Sequence, residues 1–267
     1  MSHLCIEMNY PNKITVLGPV TIDSATVTPR QRALIAALVL NNANGATTDA
    51  LADAIWGRRT PESARASIQN QVARLRNTFG ADLIKTREDR YFVAATTDAD
   101  QFETLITPWL NQPPSGRAVP VLGSALDLWR GTPFEDIHDH FAASIERARL
   151  EHIRGLAIES YTLALLTQGQ LGNAIGELSV RTVAAPFHER AWGLLMISLY
   201  ESGRRTEALQ AYGRFADLLH AELAAEPSAA LKRLRQAVAL DEPLDVRESL
   251  DVRATATSRP LIALATA

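Results

Sequence analysis

Cysteine and lysine are the scarce residues of this sequence. Its 267 residues include one cysteine, Cys5, and only three lysines, Lys13, Lys85 and Lys232. A single cysteine cannot build an intrachain disulfide framework or a four-cysteine zinc site. None of the three lysines follows a Gly-x4-Gly stretch, so the phosphate-binding loop of nucleotide hydrolases is excluded.

Long apolar runs and the common enzyme motifs are missing as well. No stretch approaches the ~18 continuous apolar residues of a membrane span, and the first residues do not form a signal peptide. Neither Gly-x-Ser-x-Gly nor Gly-x-Gly-x-x-Gly occurs. The group Asp136, His138, Asp139 and His140 lacks a full metal-ligand set, and we interpret it as a solvated loop. We therefore expect no enzyme activity, no cofactor, no metal, no membrane contact and a cytoplasmic location.

Charge is present but unevenly distributed along the chain. The net charge is −3, yet residues 1–97 carry 11 basic and 8 acidic side chains, a net of +3. Residues 98–267 carry 16 basic and 22 acidic side chains, a net of −6. Within residues 56–92 there are 8 basic and 4 acidic side chains. Because phosphates respond to local charge, this basic span favours a nucleic-acid partner.

Hydrophobic periodicity predicts a winged helix-turn-helix over residues 1–97. Short extended runs come first, and then the period changes from strand-like to helical at Thr28-Pro29, a typical helix start. A second helix is capped by Thr47 or Thr48, a third spans residues 62–79, and a hairpin spans residues 83–95. Strands, three helices and a hairpin, in that order, are the layout of a winged helix.

The remainder of the chain is helical by period and contains an internal repeat. Gly169 and Gly203 lie 34 positions apart, and Ala174 matches Ala208 at the same offset. A 34-residue period is the spacing of tetratricopeptide (TPR) repeats. We predict a mainly α fold with a small β component. The winged helix is followed by an all-α TPR-like domain over residues 98–240 and by a flexible tail over residues 241–267.

The third helix carries the candidate DNA contacts. A helical wheel gathers its apolar residues on one stripe and leaves small polar and basic residues elsewhere, with no carboxylate after Glu62. Arginine can pair with guanine and asparagine or glutamine with adenine in the major groove, and a basic hairpin can contact the backbone or the minor groove. The candidates on and before the helix are Arg58, Arg59, Arg65, Ser67, Asn70, Gln71, Arg74, Arg76 and Asn77, and those in the wing are Lys85, Arg87 and Arg90.

A helix of this composition has a second interpretation. Arginine and glutamine also keep any amphipathic helix soluble, so the helix alone does not decide between the two. The basic hairpin beyond it favours DNA. The alternative is a TPR-like protein-interaction scaffold whose winged helix no longer reads DNA, and a missing salt dependence of DNA binding would distinguish it.

Eight segments, taken in order and spacing, resemble the Streptomyces antibiotic regulatory protein (SARP) family. They are Ile14–Pro19, Arg30–Leu34, Leu51–Gly57, Val72–Arg76, Asp100–Glu103, Leu128–Phe134, Glu189–Trp192 and Tyr200–Arg204. Members join a response-regulator-type winged helix to a bacterial transcriptional activation domain.

The resemblance has three implications for function. It implies activation through RNA polymerase holoenzyme, and binding as side-by-side copies on direct repeats, which would be a homodimer on DNA. It also implies DNA contacts through the third helix and the wing, by Ser67, Asn70, Gln71, Arg74, Arg76 and Arg87. One position departs from the family pattern, because Arg90 replaces the usual glycine before the tyrosine of the second wing strand.

Overall fold

The computed structural model describes residues 12–110, 112–137 and 140–244, without the side chain of Arg58. The strands are β1 Asn12–Thr15, β2 Thr21–Ile22, β3 Ala25–Thr26, β4 Ala46–Thr47, β5 Ile84–Arg87, β6 Arg90–Val93 and β7 Ala95–Thr97. The helices are α1 Pro29–Leu40, α2 Thr48–Trp56, α3 Ala64–Phe79, α4 Asp98–Leu110, α5 Ala118–Leu126, α6 Phe141–Thr167, α7 Leu171–Ala184, α8 Glu189–Glu201, α9 Arg205–Leu223 and α10 Ala229–Leu240. The predicted fold class, mainly α with a small β component, is confirmed.

Two small sheets flank the first three helices. One has the order β3-β2-β1-β7, in which β1 and β7 are parallel, and the other has the order β4-β6-β5. The β5–β6 hairpin pairs Arg87 with Arg90 and turns through Glu88 and Asp89, both with positive φ. A two-residue loop with both residues left-handed matches the twist of the two strands. The predicted wing is therefore present, with β4 as a third strand.

Local caps explain where the first helices begin. The Thr28 hydroxyl accepts a hydrogen bond from the Gln31 amide, and the Gln31 side chain accepts one from the Thr28 amide. This reciprocal pair satisfies two donors at the start of α1. Thr47, rather than Thr48, caps α2 by accepting from the Ala50 amide. Between α2 and α3 the chain makes a short 3₁₀ turn, Gly57–Arg59.

A buried carboxylate supports the β1–β2 loop. Asp98, which is 2% exposed, accepts hydrogen bonds from the amides of Val16 (2.6 Å) and Leu17 (3.3 Å). Its other oxygen lies 3.0 Å from Nη2 of Arg130. Burial is the largest influence on the Asp98 carboxyl and raises its pKa, against the opposing effect of these donors. This network therefore joins residues that lie up to 114 positions apart in the sequence, from Val16 to Arg130.

A second ion pair fastens the same loop. Asp136 accepts from Nε of Arg32 at 2.7 Å and from the Val20 amide at 3.1 Å. The interpretation of Asp136 as part of a solvated loop is therefore wrong, because its side chain is only 9% exposed. Gly18, with φ of +142°, lies so close to the backbone of residues 130–131 that a Cβ there would overlap it. The loop therefore requires glycine at this position.

The predicted repeat is visible in the helical hairpins. Gly169 and Gly203 have positive φ and donate to carbonyls three residues earlier, at Leu166 and Tyr200. The residue after each glycine donates to the carbonyl five residues back, so the two turns share one hydrogen-bond pattern at an offset of 34 residues. Ala174 and Ala208 are both fully buried, as close packing between repeat helices requires.

Contacts divide the chain into two compact units. The first comprises Met1–Pro108 and Val121–Ala157, and the second comprises Trp109–Pro120 and Ile158–Ala267. Part of α6 belongs to each unit. The second unit has its own core around Trp192, Phe215 and Leu234, with the rings of Trp192 and Phe215 stacked at 5.6 Å. This division is by contacts, and the division at residue 97 predicted from the pattern stays a prediction. The predicted flexible tail lies outside the described residues from residue 245 onward.

Candidate nucleic-acid interface

The apolar face of α3 packs into the first unit. Ala64, Ile68, Val72 and Leu75 are buried, and Phe79 at the end of the helix is half-buried. These positions recur every three or four residues, so they share one side of the helix. The core therefore fixes which side of α3 faces outward.

The outward side of α3 presents the predicted polar residues. Asn70, Arg74 and Asn77 are exposed there, and Ser67 is half-buried. Exposed Arg65 and half-buried Gln71 lie on the two flanks, next to the apolar stripe. No Asp or Glu occurs in the 16 residues of this helix. Forked donors without a competing carboxylate are the side chains that pair with base edges.

Two alanines on the same side were not among the sequence-based candidates. Ala66 and Ala73 are exposed next to Asn70 and Arg74. Their outward positions on the helical wheel indicate that they face the same side as the polar candidates, although alanine has no polar group to donate to a base. Because their side chains are short, they let another surface approach the helix backbone.

Arg76 connects α3 to the wing. Its Nε donates to the Ile84 carbonyl and its Nη2 donates to the Thr86 hydroxyl, each at 2.8 Å. Arg76 is half-buried, and two of its donors are therefore used inside the protein. This positioning role was not expected from the helical wheel, and a DNA contact through the remaining donors stays a prediction.

The wing residues are exposed but differ in their partners. Nη1 of Arg90 donates to the carbonyls of Asn44 and Gly45, which ties β6 to the turn before β4. The Arg87 guanidinium lies over the Phe92 ring, 5.9 Å from its centroid. Lys85 lies 3.8 Å from Asp82, and such exposed pairs contribute little. Lys85 and Arg87, two residues apart on strand β5, therefore remain available on the wing.

The turn between α2 and α3 adds basic residues at one end of the interface. Arg59 is exposed within the 3₁₀ turn that Gly57 begins with φ of 53°. Nothing is described for the side chain of Arg58. The N-terminus of α3 is nearby in sequence, and helix N-termini favour phosphate groups.

The described residues provide neither a metal site nor a membrane-spanning helix. No group of three His, Cys, Asp or Glu in the described residues could hold a metal ion. His138 and Asp139 lie outside those residues, so the expected absence of a metal stays a prediction. Within the described ranges, no helix is long and apolar enough to cross a membrane.

Two family models match this chain in the order of its elements. "Transcriptional regulatory protein, C terminal" matches residues 23–91, and "Bacterial transcriptional activator domain" matches residues 97–239. The first match contains α1 to α3 and part of the wing. The second covers more than half of the chain.

Named relatives agree with these matches. Regulatory protein DnrI of Streptomyces peucetius is 31% identical over 267 residues, covering 92% of this chain and 98% of DnrI. Regulatory protein AfsR of Streptomyces coelicolor is 33% identical over 259 residues, covering 92% of this chain. The chain spans only 26% of AfsR, about a quarter of that relative's length.

A solved structure is similar over the same range. Mycobacterium tuberculosis EmbR, in complex with a low affinity phosphopeptide, superposes with a TM-score of 0.78 at 30% identity. The match covers 92% of this chain and 70% of the EmbR chain. Given the winged helix, the repeat-bearing helical unit and these relatives, the chain belongs to the Streptomyces antibiotic regulatory protein family of DNA-binding transcriptional regulators.

Proposed function

We propose that this chain binds promoter DNA by placing α3 in the major groove and the β5–β6 wing against the sugar–phosphate backbone. The observation that carries the proposal is the outward side of α3, where exposed Asn70, Arg74 and Asn77 stand without any carboxylate. Arginine and asparagine recognise guanine and adenine edges. Lys85 and Arg87 on strand β5 of the wing supply the positive charge for phosphate contacts.

We further propose that the bound regulator activates transcription by contacting RNA polymerase holoenzyme through its helical region. The match to a bacterial transcriptional activator domain over residues 97–239 supports this role. Binding as adjacent copies on direct repeats follows from the family resemblance. We expect no catalytic activity, and a site of action in the cytoplasm, where the bacterial chromosome lies.

The test begins with selection of bound fragments from sheared genomic DNA, followed by anisotropy titration of the enriched sequences at several salt concentrations. We expect enrichment of a short repeated sequence. The logarithm of the binding constant should fall linearly with the logarithm of the salt concentration, with a slope of about −0.9 for each phosphate contact. Salt-insensitive binding without enrichment would overturn the proposal. It would favour a TPR-like scaffold instead.

Matched variants identify the residues. Asn70→Ala and Arg74→Ala should each weaken specific binding by about 1–3 kcal/mol, roughly 5- to 150-fold, because each removes a base contact. Arg233→Ala is the control, since it removes an exposed arginine from α10 in the second unit. Equal affinities for all three variants, with folding intact, would exclude α3 as the reading element.

A further inference from the structure

The outer side of α7 is apolar although it faces solvent. This helix packs into the second unit through Ala174, Leu178 and Thr182. On the opposite side, Val180 is 69% exposed and Val183 is 82% exposed. At 100° per residue, both valines fall on one narrow stripe.

Two glycines continue this stripe toward the start of the helix. Gly172 and Gly176 are exposed, and they lie on the same side as Val180 and Val183. Of the eight exposed residues of α7, only Glu177 is charged: the others are Gly172, Asn173, Gly176, Ser179, Val180, Val183 and Ala184. A helix side in permanent contact with water normally carries more charge.

The glycines have no function inside the chain that the structure reveals. A Cβ built at Gly172 or Gly176 meets no heavy atom within 4 Å in the described part of the protein, and neither residue has positive φ. Glycine is among the poorest helix formers, so these positions weaken α7 without relieving any crowding. Missing side chains on an exposed helix leave a notch into which another backbone or side chain can fit.

We propose that α7 is a contact surface for a second copy of this chain, packed antiparallel across a two-fold axis at the level of residues 177–178, next to Ser179 on the exposed stripe. In this arrangement Val180 and Val183 of one copy enter the notches at Gly176 and Gly172 of the other. The two pairs fit one antiparallel register, because the glycines are four residues apart and the valines are three, so both pairs have nearly the same midpoint in the sequence. An isologous contact needs such self-complementarity, with protrusion and notch on the same surface.

The area of the surface sets the strength of the contact. The 14 residues of α7 make a rod of about 21 Å. A single pair of such helices buries less than the roughly 1,200 Å² at the lower end of stable specific interfaces. The contact is therefore a weak dimer, populated at high protein concentration or when copies are gathered locally. A two-fold axis reverses direction between copies, so this contact is distinct from neighbours on direct repeats and does not depend on the proposed DNA binding.

Disulfide trapping in the full chain, without DNA, tests the contact. In a Cys5→Ser background, Ser179→Cys places an exposed thiol beside the axis. Gln236→Cys places an exposed thiol on α10, away from α7 in sequence, and is the control. Under mild oxidation we expect the Ser179→Cys chain to form covalent dimers at least tenfold faster than the control. Equal rates would overturn the proposal.

A notch-filling variant separates association from folding. Gly176→Leu, added to the Ser179→Cys chain, should abolish trapping while thermal stability stays equal or rises, since leucine favours helix and its Cβ would meet no heavy atom within 4 Å. Gly213→Leu in α9 is the matched control, because it is also a helical glycine with no heavy atom within 4 Å of its Cβ. Persistent trapping in Gly176→Leu would also overturn the proposal.

Sedimentation equilibrium gives an independent measurement on the chain without added cysteines. We expect a concentration-dependent dimer that Val180→Glu eliminates. A monomer at all concentrations up to the solubility limit would contradict the two-fold contact. It would leave the apolar stripe to a partner other than this chain.

Discussion

Asp98→Ala should destabilise the first compact unit by about 3 kcal/mol. The substitution leaves the amides of Val16 and Leu17 and the Arg130 guanidinium without their acceptor. Removing one partner of a buried ion pair costs about 3–5 kcal/mol. Because the Arg130 side chain is 38% exposed and can be rehydrated, we expect the lower end of that range.

The raised pKa of Asp98 does not contradict this loss. It means that burial disfavours the carboxylate more than its donors favour it, so the pair as a whole contributes little net stability. The loss comes from donors that remain buried after the carboxylate is gone. Asp98→Asn keeps one acceptor oxygen, and we therefore expect a smaller loss of about 1–2 kcal/mol.

Urea denaturation and hydrogen exchange together measure this effect. With a typical slope of about 1–3 kcal/mol per molar urea, the midpoint of Asp98→Ala should fall by about 1–3 M. Two compact units need not unfold together, so exchange of the amides of Val16 and Leu17 supplies the local readout. Asp127→Ala removes an exposed carboxylate from the same unit and is the control. Equal midpoints and equal exchange in the two variants would refute the reasoning.

Four further outcomes are expected. A chain ending at residue 97 should unfold at lower urea than one ending at residue 157, because it lacks the Asp98 carboxylate that the β1–β2 loop requires; equal midpoints would contradict this. Gly45→Ala should lower the thermal midpoint and disorder the wing, since a Cβ there would overlap the Phe92 ring; an unchanged hairpin by NMR would argue otherwise. Asp89→Gly should stabilise the hairpin by about 1 kcal/mol by removing a left-handed aspartate, with φ of 61°, measured by thermal denaturation. The pKa of Asp98 is raised in the folded state, so between pH 3.8 and that raised pKa the Asp98 carboxyl is protonated more often in the native than in the unfolded chain. The free energy of unfolding should therefore fall as pH rises through this window. Urea denaturation at several pH values should show this pH dependence in the wild-type chain and not in Asp98→Asn.

Local signals predicted the parts of the fold that local interactions determine. The start of α1 follows from Thr28, Pro29 and Gln31, three residues that satisfy one another. The 34-residue repeat was visible because both glycine turns use the same hydrogen bonds. In each case the cause and the effect lie within a few residues of each other.

The structural features that the sequence did not reveal depend on distant partners. Strands β4 and β7 have two and three residues, and they exist because β6 and β1 pair with them. The acceptor for the Val16 amide is 82 positions away, at Asp98. A helical wheel of α3 contains no wing, so it could not predict that Arg76 bonds to residues 84 and 86. These bonds form only when the hairpin folds against the helix.

The link from Arg76 to the wing has a consequence for the energetics of recognition. The guanidinium bonds to Ile84 and Thr86 hold α3 and β5 in one arrangement before any DNA is present. The loss of conformational entropy on ordering the two reading elements is then part of folding and does not subtract from the affinity for DNA. In the proposed mode of DNA binding, groove contacts and backbone contacts form as one preorganised unit, so a shift of the wing changes the register of α3 along with it.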